Sequence, residues 1–109
     1  MKSHATIDAR SLAFGRAVAA RLRDDPALTE RGRSTIARWL TTCSPQVMPA
    51  LLEWEVALKG PLSEVLDLLT NTNERATRLR QSNPFAGLLT QRERSAILRE
   101  FAAYDAASA

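Results

Sequence analysis

Histidine and cysteine are almost missing from this chain, and each absence removes a class of chemistry. Cys43 stands alone, so no internal disulfide can form, and it has no neighbouring metal-ligand types. It reads as a small buried hydrophobe at the apolar end of a helical pattern. His4 is the single histidine. It lies near the start, where a chain is expected to be mobile, which leaves a Cys-His or Ser-His pair without its base and a zinc site without ligands. Four glycines, none clustered, exclude a phosphate-cradling loop. Glu53 and Glu55 are two apart and point to different sides of a helix, so they do not form a paired-carboxylate site. The expectation is a protein that is not an enzyme and that uses no cofactor and no metal.

Long apolar runs are missing too. No window approaches the roughly 18 unbroken apolar residues of a membrane span, and MKSHATIDAR lacks the apolar centre of a secretory signal. A cytoplasmic protein with no membrane partner is expected. The 109 residues, 45% of them hydrophobic, amount to one domain with a modest core.

Glycine, proline and cap signals divide the sequence into helices, and no stretch alternates well enough to be a strand. The first helix is expected from about Ile7 to Asp24, with Ile7, Phe14, Val18 and Leu22 facing inward. Asp25-Pro26 restarts the chain into a second helix reaching about Cys43, with Leu28, Ile36, Trp39, Leu40 and Cys43 inward. Gly32 weakens its first half. Ser44-Pro45 repeats the device, although Pro49 delays the helix proper. There Val47, Met48, Leu51, Leu52, Val56 and Leu58 form a broad apolar surface that stops at Gly60. Leu62, Val65, Leu66 and Leu69 fall at i, i+3, i+4 and i+7, a clear amphipathic helix. Asn71-Thr72-Asn73 then caps a short helix from Glu74 to about Gln81, anchored only by Ala76 and Leu79. Thr90-Gln91-Arg92-Glu93 has capping-box spacing, and it opens a last helix with Ile97, Leu98, Phe101 and Tyr104 on one face. The fold expected is all-α: one helical domain over residues 1–109, a compact bundle of five or six short helices, with flexible tails at 1–6 and 106–109.

The net charge of +3 is unevenly spread. Glu53, Glu55, Glu64 and Asp67 face only Lys59 in their span, whereas six arginines from Arg75 to Arg99 face only Glu93. Arginine suits planar, bidentate contacts to carboxylates or phosphates, and a solvated face is the plainer reading of any one of them.

Two binding roles fit these residues. Residues 61–80 have the outline of a helix-turn-helix that would present Asn73, Arg75, Thr77, Arg78 and Arg80 to DNA, although the turn has no glycine and the net charge is small for counterion release. The second role rests on Pro84-Phe85-Ala86-Gly87-Leu88-Leu89. Proline ends the helical path. The apolar residues behind it either plug the chain's own bundle or serve a protein partner as an anchor ringed by Arg78, Arg80, Arg92 and Arg94, with Gln81, Ser82 and Asn83 alongside. A homodimer with Trp39 and Trp54 in its interface is a third, structural possibility.

Glu53-Trp54-Glu55, Leu58, Gly60-Pro61-Leu62, and above all Arg78-Leu79-Arg80-Gln81-Ser82-Asn83-Pro84-Phe85-Ala86-Gly87-Leu88-Leu89-Thr90 with Glu93-Arg94, carry a resemblance. The chain resembles a group of small helical bacterial proteins encoded just ahead of a nucleotidyltransferase-fold protein, in pairs that look like toxin–antitoxin operons. The likeness spans residues 17–101. Asn83 stands where the group more often has Ser, and Ser95 where an aromatic is common. The resemblance implies an antitoxin that binds its cognate toxin and blocks the nucleotide or tRNA site. Arg78 and Arg80 would then meet the carboxylates of a metal-binding cleft, with Phe85 and Leu88 as apolar anchors.

Overall fold

Cap and turn chemistry marks several of the helix boundaries. A computed structural model describes the backbone of residues 4–108 and the side chains of residues 6–85 and 87–102. Residues 1–3 and 109, and the side chains of His4, Ala86 and Tyr104, lie outside the described residues. The described residues form six α-helices: α1 (His4–Asp24), α2 (Thr29–Leu40), α3 (Met48–Lys59), α4 (Leu62–Thr70), α5 (Glu74–Arg80) and α6 (Gln91–Ser108). There is no strand among the described residues. The fold is an all-α bundle with a radius of gyration of 14.1 Å, close to the roughly 13 Å of a hundred-residue globule.

Several boundaries match the sequence reading. Pro49 sits in the first turn of α3, which starts after a turn at 45–47, and Gly60 ends the helix. Asn73 caps α5, its Oδ1 accepting from the Ala76 N–H at 2.8 Å. The capping box at α6 is reciprocal: the Glu93 N–H donates to Thr90 Oγ1 at 3.1 Å, and the Thr90 N–H donates to Glu93 Oε1 at 2.9 Å. Asp25 makes no side-chain cap, and the chain after it forms a 3-10 turn at Pro26–Leu28 before α2 begins. α2 stops at Leu40, short of Cys43.

α1 lies against α4, α5 and α6, while α2 packs on α3, and α3 in turn on α4 and α5. The core at their meeting includes Val18, Leu22, Ile36, Leu51, Trp54, Leu58, Leu68, Leu69, Leu79 and Phe85. Trp54, a candidate for a dimer interface, is fully buried and belongs to this core; Trp39 is only half-buried. The apolar surface expected of α3 also divides. Leu51, Trp54 and Leu58 turn inward, and Val47, Met48, Leu52 and Val56 are exposed.

Candidate functional site

The segment from Arg78 to Leu89 is mainly built into the fold. Leu79 is buried, and its carbonyl accepts from the Trp54 indole Nε1–H at 2.8 Å. Arg80 is 4% exposed and folds back beneath the bundle. Its Nη1 donates to the carbonyls of Leu68 (2.9 Å) and Asn71 (2.6 Å), and its Nη2 to Thr77 Oγ1 (3.3 Å). The guanidinium thus closes the C-terminal end of α4, where a cation is favoured by the helix dipole. Burial lowers its pKa from the usual arginine value.

After α5 the chain turns on Asn83, whose Oδ1 accepts from the Phe85 N–H at 2.8 Å. That bond, with the fixed φ of Pro84, drives Phe85 inward. Its ring meets the Trp54 ring edge-on, with centroids 6.4 Å apart and planes at 77°. Phe85 is 1% exposed. The anchor role expected of Phe85 and the contact role expected of Arg80 therefore fail for the folded protomer: one ring and one charge have been taken into the interior. Pro84 and Leu89 are buried as well, so the apolar hexapeptide serves chiefly as an internal plug.

The residues outlined for DNA are similarly engaged. Asn73 caps its own helix and Arg80 is buried on Thr77. Arg75 and Arg78 both meet Glu53, with nearest contacts of 3.4 Å and 2.8 Å. The hydrogen bond from Arg78 holds the Glu53 carboxyl below its ordinary pKa. A helix whose outward arginines share a carboxylate, and which is seven residues long, offers little to a phosphate backbone.

Surface chemistry collects elsewhere, in a groove of about 490 Å³ between α2 and the chain at 83–88. One wall is the α2 face Arg31, Ser34, Thr35 and Arg38, at helical spacings of three and four that put all four on one side. The other wall is Asn83, Pro84 and Leu88, with Gly87 leaving it open, since a Cβ there would have no atom within 4 Å. Trp39 forms part of the groove and also of a second hollow beside Cys43 and Val47. Glu30 is occupied by Arg33 at 2.7 Å. Arg31 and Arg38 make no ion pair among the described residues, and both are exposed. The groove is accordingly electropositive with an apolar side.

Of the residues singled out for a partner, the structure brings Asn83, Pro84, Gly87 and Leu88 to this groove, with part of the Phe85 ring below them. Gln81 and Ser82 line the second hollow. Arg92 and Arg94 stand exposed on the first turns of α6 and line neither. Arg31 and Arg38 escaped the sequence reading, although their seven-residue spacing around Ser34 and Thr35 was a visible signal of one helix face. No group of three or more metal-ligating side chains occurs among the described residues, and no described helix is long and apolar enough to cross a membrane. Comparison of the chain with protein-family profiles, with curated proteins and with solved structures finds no match.

Proposed function

We propose that this chain is a non-catalytic protein-binding module, an antitoxin that neutralises a nucleotidyltransferase-like toxin through the groove between α2 and residues 83–88. The observation that carries the reading is that Arg31 and Arg38, about 10 Å apart along one helix face and flanked by Trp39 and Leu88, make no ion pair among the described residues. Free arginines beside a half-buried aromatic are the composition of an interface centre. An acidic, metal-binding cleft is the surface they complement, because each guanidinium can bridge a carboxylate that would otherwise hold a cation. The resemblance supplies the partner class, and the groove supplies the chemistry.

The test is co-expression with the neighbouring gene product, followed by size-exclusion chromatography. A 1:1 or higher complex is expected for the native chain, and Arg31→Glu with Arg38→Glu should abolish it while leaving the thermal melt of the isolated chain unchanged. Absence of a complex with the native chain, or a complex indifferent to both reversals, overturns the proposal.

A further inference from the structure

The groove beside α2 has two unlike walls. Arg31, Ser34, Thr35 and Arg38 recur at i, i+3, i+4 and i+7, so a cation stands at each end of that wall with hydroxyls between. Pro84 and Leu88 make the other wall apolar. The cations are not neutralised from within. Glu30, at the edge of the groove, is held by Arg33, whose Nε is fixed in turn on the Leu58 carbonyl at 2.8 Å. Arg31 and Arg38 are exposed and make no ion pair among the described residues. Charge complementarity therefore selects an acidic occupant.

Backbone chemistry and spacing select its form. An extended peptide binds through main-chain hydrogen bonds to a sheet edge, and the described residues contain no strand; the α2 backbone is bonded within its own helix. A helix arrives with its backbone already satisfied. Arg31 and Arg38 are separated by about 10 Å along α2, the same distance as positions i and i+7 of a second helix lying beside it. Same-side residues of an extended chain stand about 7 or about 13 Å apart, so they engage both arginines only at a further cost in side-chain freedom. Positions i+3 and i+4 of the second helix face the middle of the groove, where Pro84, Leu88 and the half-buried Trp39 accept bulky apolar side chains. We infer that the groove receives an acidic amphipathic α-helix of the partner protein, with carboxylates at i and i+7 and apolar side chains at i+3 and i+4. The inference rests on the groove being the protein-binding face and not on what the partner catalyses.

Fluorescence anisotropy on the purified chain tests it, with labelled peptides of about 14 residues held helical by a hydrocarbon staple on the far face. The probe with Glu at i and i+7 and Leu at i+3 and i+4 should bind at least about tenfold more tightly than a helical isomer with the glutamates moved to i and i+2, where they point to different sides. It should outbind a proline-interrupted, extended version by a similar factor, and replacing its leucines with serine should weaken it. Arg31→Gln with Arg38→Gln should erase the preference while leaving the thermal melt unchanged, because both side chains are exposed. Equal binding of the isomers, binding indifferent to the two neutralisations, or no binding overturns the inference. Displacement of the probe by tripolyphosphate at a lower concentration than by unlabelled peptide reassigns the groove to a phosphate ligand and overturns it too. The two readings fail separately. Selective peptide binding without a complex with the neighbouring gene product keeps the helix site and removes the antitoxin; a complex lost on reversing Arg31 and Arg38, with no preference among the peptides, does the opposite.

Discussion

The Phe85 ring fills the space that a side chain at Gly32 would need: a Cβ built there would stand 2.4 Å from Phe85 Cζ and 2.5 Å from Cε1. A mid-helix glycine that costs α2 about 1 kcal/mol against alanine is the seat into which the 83–88 segment is pressed. Gly32→Ala should therefore destabilise the protein by about 1–3 kcal/mol despite its better helix propensity, because a packed aromatic has to move. In the Phe85→Leu background the same substitution should be close to neutral. Urea unfolding of the four proteins in this cycle measures the coupling, and additive effects would show that ring and glycine do not share the space.

Two arginines of the Arg78-Leu79-Arg80 triplet look equivalent in the sequence and are not. Arg80 presents three donor contacts to the end of α4 from inside the bundle, with its Nε unpartnered, whereas the Arg78 side chain is half exposed on Glu53. Arg80→Lys keeps the charge but loses the planar fork, and should cost about 1–3 kcal/mol. Arg78→Lys should leave the denaturation midpoint nearly unchanged. Closely matched midpoints for the two variants would contradict the burial of Arg80.

Glu93 combines a helix cap with an ion pair to Arg21. The backbone bond from Thr90 is the main cause that lowers its pKa below the ordinary 4.5, assisted by Arg21. A carboxylate with a folded pKa below its unfolded one stabilises the protein above the unfolded value, and the contribution is lost as pH falls through the folded value. Glu93→Gln can still accept at the cap but cannot titrate. The melting temperature of the native chain should exceed that of Glu93→Gln at neutral pH, and the gap should close as the pH drops below about 4.5. A gap that widens in acid would reverse the assignment. Added salt should narrow it at neutral pH, since the Arg21 pair is partly exposed.

Local signals were enough to find the helices, because caps and breakers act within a few residues. Asn73, Gly60 and the Thr90–Glu93 box needed nothing beyond their neighbours, and the Leu62–Leu69 periodicity located α4 directly. Which way a side chain faces when its helix is short depends on partners distant in sequence. Arg80 turns inward because carbonyls at Leu68 and Asn71 wait for it, and Phe85 because Gly32, some fifty residues earlier, leaves room. The mid-helix glycines are the sequence signal of these approaches. Gly15 marks a second such approach, where a Cβ would lie 2.1 Å from the Leu69 carbonyl oxygen and 3.0 Å from Arg80 Cδ. The groove is not legible in composition, because the most conspicuous segment, Pro84 to Leu89, owes its apolar residues to internal packing.

The two tryptophans divide between these roles and can report on them separately. Trp54 has no solvent exposure and donates to the Leu79 carbonyl, while Trp39 is half-buried at the junction of the two surface hollows. Trp39→Phe leaves Trp54 as the only indole, and its fluorescence should resist acrylamide and ignore any partner. Trp54→Phe should cost about 1–2 kcal/mol through the lost hydrogen bond and smaller ring, and it leaves Trp39 as a quenchable probe. If the groove is the binding face, adding the proposed partner should protect Trp39 from quencher in that variant, and the protection should vanish when Arg31 and Arg38 are reversed in charge. Raising the concentration of the chain alone should leave Trp39 as open to quencher as before. Equal protection by self-association would place the copies on the groove and remove it as the site for a different protein.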